Sequence, residues 1–150
     1  MSYAVYSPST AVTSSNTLFT SLGIPSDPLG AHLWIVVGVA PDMLPQLAIL
    51  MQTGMSSICQ LVGISRSTVA RKIKTGTPLS TSQGARVYGV VQALDAVLSL
   101  HRNNTVKALS WLHRPAWDLG GVAPATLLTT PFGAQAVVDL VGRIQHGVCI

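Results

Sequence analysis

The sequence predicts an all-α protein, and three observations lead to that prediction. Apolar residues recur at the i, i+3, i+4 and i+7 spacing of amphipathic helices from about residue 28 onward. Residues that cap helices, and prolines at first helical positions, stand at the start of most of these runs. Strand signals are weak throughout. We therefore expect a flexible arm over 1–25, a helical domain over 26–79 and a second helical domain over 80–150.

The arm and the first two helices differ sharply in composition. The first twenty or so residues are rich in Ser and Thr and have no helical period, which indicates a flexible arm. Asp27 can cap a helix with Pro28 at its first position, and Pro41 opens the next helix, which Gly54 ends. The apolar side of the first helix consists of Leu29, Leu33, Val36 and Val37. The uninterrupted apolar run over 33–40 is shorter than the roughly 18 residues that a membrane span needs, so we expect two buried helices that meet at Pro41.

The rest of the chain contains further helical segments. Ser80 and Gln83 form a capping box ahead of a long amphipathic helix, and Gly147 is expected to end the last segment. The segments are, in order, Ser56 to Val62, Arg66 to Lys74, the long helix through Leu98, one capped by Asn104, a short one opened by Pro124, and one opened by Thr130 and Pro131.

The charge is small and unevenly placed. Hydrophobic residues make up 48% of the chain and charged residues 9%, with nine bases, five aspartates and no glutamate, for a net charge of +4. Five of the nine bases lie in residues 66–86, which contain no acid. A localised basic cluster indicates a site for an anionic partner, and a solvated helix face is the alternative interpretation.

Residues that could perform chemistry are few and scattered. Two cysteines cannot form a disulfide framework, and neither stands at the spacing of a zinc site. No basic residue precedes Arg66, so we expect no secretory signal and reduced, intracellular cysteines. The histidines at 101, 113 and 146 fall in different segments and lack a partner carboxylate. We therefore expect no catalytic activity, no metal and no cofactor.

The two short segments in the middle of the chain predict a helix-turn-helix over residues 56–74. Cys59 is the small residue on the first helix, Gly63 takes the turn, and Ser65 caps the second helix. The last apolar anchor falls at Ile73, one place later than in the commonest pattern, whose anchor position is occupied here by Lys72. The expected anchors are Ile58, Val62, Ile64, Val69 and Ile73.

The second helix of this pair is the candidate DNA reader. With Val69 and Ile73 facing inward, Arg71 points outward on a face without carboxylates. The start of such a helix enters the major groove, and a single short helix reads few bases, so we expect a homodimer on a two-fold operator. The expected DNA contacts are Ser67, Thr68 and Arg71 at base edges and Arg66, Lys72 and Lys74 at phosphates, beside the cap Ser65. A helix-turn-helix used only for packing is the alternative.

Gly147 is followed by an apolar segment, Val148-Cys149-Ile150, although the residues after the glycine that ends a last helix are more usually polar. It either folds back onto its own domain or inserts into the pocket of a partner.

A specific combination of residues precedes this segment. It consists of Trp111-Leu112, Pro115, Leu119-Gly120-Gly121, Pro124, Leu127-Leu128, Thr130, Gly133, Val137, Leu140, Ile144 and His146-Gly147. On these positions, residues 107–148 resemble the toxin-binding domain of the Xre/MbcA/ParS antitoxin family. Together with the helix-turn-helix, the resemblance covers about residues 55–150.

The resemblance implies a helical, dimeric antitoxin of the bacterial cytoplasm. Such a protein binds its own operator and neutralises a RES-domain toxin that degrades NAD+, and its carboxy-terminal end blocks the active-site cleft of the toxin. We then expect a homodimer within a larger hetero-oligomer and no membrane association. Carried onto this chain, the resemblance makes Gly147, Val148, Cys149 and Ile150 the blocking segment and places Trp111, Arg114, Trp117 and Arg143 on the docking face. For Trp111 and the turn at 119–121, a packing role is the preferred interpretation.

Two other functions stay open on the sequence. One is a stand-alone helix-turn-helix transcriptional regulator whose carboxy-terminal domain only dimerises. The other is a protein inhibitor whose helix-turn-helix no longer reads DNA.

Overall fold

The computed structural model describes residues 17–147, and this part of the chain is all-α, as predicted. The helices are α1 (Thr17–Leu22), α2 (Pro28–Val37), α3 (Met43–Leu50), α4 (Met55–Val62), α5 (Arg66–Thr75), α6 (Thr81–Leu100), α7 (Thr105–Leu112) and α8 (Pro131–Gln145), with 3-10 turns at Trp117–Leu119 and Pro124–Leu127. Val39 and Leu79 form an isolated antiparallel bridge. Among these helices, none combines the length and the apolar character that crossing a bilayer requires.

Side-chain caps define where the helices begin. Asp27 Oδ2 accepts a hydrogen bond of 2.7 Å from the backbone N–H three residues further on. Ser80 Oγ accepts from the Gln83 N–H at 3.1 Å, and Gln83 Oε1 accepts from the Ser80 N–H at 3.0 Å, which completes the predicted capping box. The side chains of Asn104 and Thr130 each accept one hydrogen bond from the backbone N–H three residues further on and so cap α7 and α8. The predicted starts of these four helices are confirmed.

Helix α6 lies at the centre of the packing, against α1, α2 and α4 as well as α7 and α8. Eleven of its 20 residues are buried, which is more than one helical face. Two glycines permit close approach: a Cβ at Gly84 would lie 2.9 Å from Val39 Cγ2, and one at Gly89 would lie 3.2 Å from Ala134 Cβ. All these helices share one hydrophobic cluster. The boundary expected between residues 79 and 80 stays a prediction.

The amino-terminal region differs from the prediction. Residues 17–22 form helix α1, and its side chains Leu18, Phe19 and Leu22 are buried, so the prediction of a flexible arm over 1–25 is wrong for this part. The Leu18 N–H donates to Oδ1 of the buried Asp95 at 3.1 Å, and the Phe19 ring packs 5.5 Å from the Tyr88 ring. Partners far along the chain order a segment whose composition resembles that of a linker. The arm predicted over residues 1–16 lies outside the described residues.

Helix α2 is the second difference. The two helices that flank Pro41 were expected to be buried, and this holds for the core side of α3, where Leu44 and Leu47 have no exposed surface, as has Met51 directly after the helix. The predicted apolar side of α2 faces away from the core instead. Its members Leu29, Leu33, Val36 and Val37 are 68%, 51%, 54% and 82% exposed. The opposite side of α2, with Trp34 and Ile35, packs against the core.

Candidate functional site

Helices α4 and α5 form the predicted pair around a tight turn. Gly63 adopts a φ of 71°, and its N–H and that of Ile64 both donate to the Cys59 carbonyl, at 2.9 and 3.2 Å. The anchors Ile58, Val62, Ile64 and Val69 are buried, as predicted. Burial raises the pKa of the Cys59 thiol above its ordinary value, and the guanidinium of Arg66 acts in the opposite direction. Cys59 therefore serves as a small, protonated packing residue beneath the turn.

The last predicted anchor of α5 is wrong. Ile73 is 39% exposed, whereas Lys72, one residue earlier, is half-buried. Lys72 Nζ donates to the Pro78 carbonyl at 3.2 Å, so its charge is held by the chain that leaves α5. Lys72 thus occupies the usual anchor position, and its ammonium already has a partner within the fold.

The start of α5 is built from hydroxyl groups. Ser65 Oγ accepts from the Thr68 N–H at 3.1 Å and donates to Thr68 Oγ1 at 2.7 Å, and it lies 3.3 Å from Ser67 Oγ. Arg66 Nη1 donates to Ser56 Oγ at 3.2 Å, which ties α5 to α4. Ser67 stays exposed, whereas Thr68 is half-buried.

Two predicted DNA contacts face solvent further along α5. Arg71 and Lys74 are both exposed. Arg71, Lys72, Thr75 and Thr77 line an open cavity of about 380 Å³. This surface is cationic, and no aspartate occurs in the sequence between residues 42 and 95. Its composition suits a polyanion.

The prediction omitted one residue of this region. Arg86, on α6, donates from Nη1 to the Gly63 carbonyl at 3.0 Å and so links the turn to the central helix. A Cβ at Gly63 would lie 2.8 Å from this Nη1 atom. Its place in the basic stretch was visible in the sequence, but the contact, 23 residues away, depends on how α6 packs.

The carboxy-terminal candidates have contrasting environments. Trp111 is half-buried against the core, and its ring lies 6.2 Å from the His101 ring. Trp117 is 93% exposed beside a cavity of about 230 Å³ that Pro115 and Gly121 also line. The structure therefore separates a packing tryptophan from a solvent-facing one. Phe132, at the start of α8, is 87% exposed and was not among the predicted site residues. Its position off the apolar side of α8 was a signal in the sequence that it would face solvent.

The two arginines and the end of α8 complete this region. Arg114 is exposed, and its Nη2 donates to Ser110 Oγ at 3.4 Å. Arg143 is half-buried, and its Nε has no hydrogen-bond partner among residues 17–147. Gly147, with a φ of 68°, is exposed after the end of α8, where the sequence predicts the helix to stop. The predicted blocking residues Val148, Cys149 and Ile150 lie outside the described residues.

Comparison with known proteins assigns this region. Residues 93–147 match the Antitoxin Xre/MbcA/ParS C-terminal toxin-binding domain, which here runs from within α6 to the end of α8. The chain is 30% identical over 146 residues to a protein named Antitoxin Xre from Photorhabdus laumondii, covering 96% of this chain and 97% of that relative. The chain belongs to the Xre/MbcA/ParS antitoxin family. The resemblance predicted from the sequence is thereby confirmed, and the matched domain gives the antitoxin a toxin as partner.

Two further relatives extend the comparison. An Antitoxin Xre from Yersinia enterocolitica is 31% identical over 142 residues, which cover 93% of this antitoxin and 95% of the relative. A protein from a Sphingobium strain, named Prs ADP-ribosylating antitoxin, is 29% identical over 131 residues, or 82% and 80% of the two chains.

Proposed function

We propose that this antitoxin neutralises a RES-domain toxin that degrades NAD+, and that the segment after α8 enters the active-site cleft of the toxin. The observation that carries the proposal is the position of Gly147, which is exposed at the end of the matched toxin-binding domain and leads into Val148, Cys149 and Ile150. Apolar side chains that enter a cleft are removed from water, and this burial favours binding.

The docking face is proposed to surround this segment. Trp117 is the strongest candidate, because an exposed tryptophan offers a large apolar surface and is the type of residue that dominates binding energy at interfaces. Arg114 and Arg143 are proposed to lie at its margin. Trp111, packed into the core, is proposed to support this face from below.

The second part of the proposal is autoregulation through operator DNA. Arg71 and Ser67 are the proposed base readers, because both are exposed on α5. Thr68 is a weaker candidate, since its hydroxyl accepts a hydrogen bond from Ser65. Lys74 and Arg66 are the proposed phosphate ligands, while Lys72 would first have to leave the Pro78 carbonyl.

The Sphingobium relative favours a second candidate chemistry for the toxin. Its name refers to ADP-ribosylation, and that reaction consumes NAD+ just as hydrolysis does. The two reactions differ in the acceptor of the ADP-ribose group, which is water in hydrolysis and a protein side chain in ADP-ribosylation. The proposed inhibition by the antitoxin is the same in both cases, because occluding the NAD+ cleft stops either reaction.

Co-expression with the product of the neighbouring gene tests the toxin proposal. We expect the two proteins to co-purify and expect NAD+ to fall only when the toxin is expressed alone. Isolated toxin given labelled NAD+ should release free ADP-ribose if it is a hydrolase and label protein if it is a transferase. If expression of the neighbouring gene product alone lowers neither NAD+ nor viability, both the hydrolase and the transferase activities are contradicted, and a stand-alone regulator is favoured.

Deletion of residues 148–150 tests the blocking segment. We expect the truncated antitoxin to bind operator DNA normally and to release toxin activity, because α5 is untouched and the cleft is left open. Replacement of the same three residues by serine is the matched control for chain length, and it should also release activity. Full protection by both variants would eliminate the blocking role. Loss of toxin inhibition without loss of DNA binding would also set aside a pure regulator.

A further inference from the structure

Helix α8 carries a row of four residues outside its buried side. Phe132, Ala136, Asp139 and Arg143 follow one another at the spacing that brings residues onto one face of a helix. At about 100° per residue they fall within an arc of about 60° that contains none of the buried residues of α8. We call these four residues the α8 row. At a rise of about 1.5 Å per residue, it extends for about 16 Å along the helix axis.

Both ends of the α8 row are in environments that cost free energy. Phe132 is 87% exposed. Arg143 is half-buried, and its Nε has no hydrogen-bond partner among residues 17–147. Asp139, one turn before Arg143, accepts from Nε2 of Gln135, one turn in the opposite direction, at 2.9 Å. An apolar ring in water and a buried charged donor without an acceptor are both unfavourable, and a single partner surface can relieve both.

We propose that the α8 row binds the toxin, with Phe132 in an apolar pocket and the Arg143 guanidinium on a carboxylate of the toxin. This inference rests on the proposed function, since it takes the toxin as the occupant and adds the groups that the toxin must present. A guanidinium holds its N–H donors in a planar fork that matches the two oxygens of a carboxylate, and Nε is one prong of that fork. A toxin carboxylate therefore supplies the acceptor that Nε lacks among residues 17–147.

The family match and the charges of the row both favour the toxin as occupant. The whole of α8 lies within residues 93–147, which match a toxin-binding domain. A polyanion such as DNA would meet a like charge at Asp139, one turn from Arg143. A protein surface can instead place an acid opposite Arg143 and a base opposite Asp139. The expected toxin surface has this acid and base about 6 Å apart and an apolar pocket about 16 Å from the acid.

Calorimetric titration of the purified product of the neighbouring gene with the full antitoxin chain tests the α8 row. Arg143→Met keeps the aliphatic stem and removes the guanidinium, and Phe132→Ala removes the ring. We expect Arg143→Met to weaken binding about 100-fold, because the toxin carboxylate is left without its partner. We expect Phe132→Ala to weaken binding about 30-fold, because an aromatic anchor leaves its pocket.

Two matched controls lie in the same domain but outside α8. Arg102→Met removes an exposed guanidinium, and Val106→Ala shortens an apolar side chain that is 73% exposed. Both variants should bind the gene product as the unmodified chain does. Losses equal to those of Arg143→Met and Phe132→Ala would overturn the assignment to the α8 row.

The Tm of the free antitoxin separates a contact with the toxin from a role in the fold. Because Nε has no partner among residues 17–147, Arg143→Met should leave this Tm unchanged or raise it. A lower Tm with unchanged affinity for the gene product would overturn the proposal. Arg143→Lys keeps the charge but not the fork and should bind about 10-fold more weakly than the unmodified chain, and equal binding would overturn the carboxylate assignment.

The outcomes also distinguish this inference from the proposed function. If the gene product binds and consumes NAD+ but no α8 variant changes its affinity, the α8 row is overturned and the proposed function is retained. If binding depends on Arg143 and Phe132 but the gene product leaves NAD+ intact, the proposed NAD+ chemistry is overturned and the α8 row is retained. A gene product that does not bind the unmodified chain overturns both.

Discussion

The turn between α4 and α5 provides the sharpest test of how these two helices are held together. We predict that Gly63→Ala destabilises the protein more than Gly76→Ala, although both glycines have a φ of 71° and both end a helix of this pair. At Gly76 nothing lies within 4 Å of an added Cβ, whereas at Gly63 the added Cβ would lie 2.8 Å from Arg86 Nη1. The two substitutions therefore share the backbone cost, and only Gly63→Ala displaces a side chain.

The magnitudes follow from these two contributions. An L-residue in the left-handed region costs about 1–2 kcal/mol, which is the whole expected effect of Gly76→Ala. Displacing Arg86 from the Gly63 carbonyl adds about 1 kcal/mol, because the hydrogen bond is charged but partly exposed to solvent. Gly63→Ala should then cost about 2–3 kcal/mol in total. For a chain of this size, that corresponds to a fall in Tm of about 4–12 °C.

Urea unfolding at one fixed protein concentration, followed by far-UV circular dichroism, measures both free energies. A double-mutant cycle with Arg86→Ala isolates the added contribution, because the excess cost of Gly63→Ala over Gly76→Ala should vanish once the guanidinium is absent. If the excess persists without Arg86, or if the two glycine variants are equally stable from the outset, the role assigned to Arg86 is refuted.

The other predictions concern single side chains. Arg71→Ala should weaken operator binding by about 1–3 kcal/mol and relax the preference for the operator sequence. Lys74→Ala should weaken binding to all DNA sequences alike and lower the slope of log K against log salt concentration by about one unit. Equal losses for all sequences from both variants, measured in binding titrations, would count against Arg71 as a base reader. Trp117→Ala should weaken toxin binding by at least about 2 kcal/mol, measured by calorimetry, and leave the Tm unchanged. Trp111→Ala should lower the Tm, because this side chain packs against the core. The reverse result would assign toxin contact to Trp111 and core packing to Trp117. Asp95→Ala should destabilise the chain by about 1–3 kcal/mol and speed hydrogen exchange first in α1, because a buried N–H loses its acceptor; uniform exchange would argue against this local effect.

The features that were predictable from the sequence are those that a few neighbouring residues determine. The capping box at Ser80 and Gln83 involves hydrogen bonds between residues three positions apart, so residue type and spacing suffice to predict it. The left-handed turn at Gly63 follows from the same kind of local rule. The family resemblance also depended on a contiguous pattern, and the comparisons confirmed it.

The features that the sequence did not predict depend on packing between distant segments. Helix α1 has six residues in a Ser/Thr-rich context, and its order depends on Asp95, 77 positions further on. The hydrogen bond from Lys72 to the Pro78 carbonyl was not predicted either, because it depends on the path of the chain after α5; the phosphate contact of Lys72 stays a prediction. On α2, apolar periodicity identified four residues that share one side of the helix, but the prediction that this side is buried was wrong. Periodicity shows which residues lie on the same side and does not show whether that side faces the core.

The hydrogen bond between Asp95 and the start of α1 also has a consequence for synthesis of the protein. After Leu18 has emerged from the ribosome, 77 more residues must be added before Asp95 emerges, which takes about 4–15 s at 5–20 residues per second. During that interval the apolar side chains of α1 have no docking site on α6. The residues of α1 therefore stay open to chaperones and proteases for seconds in every newly made molecule, and this exposure ends only when α6 has left the ribosome.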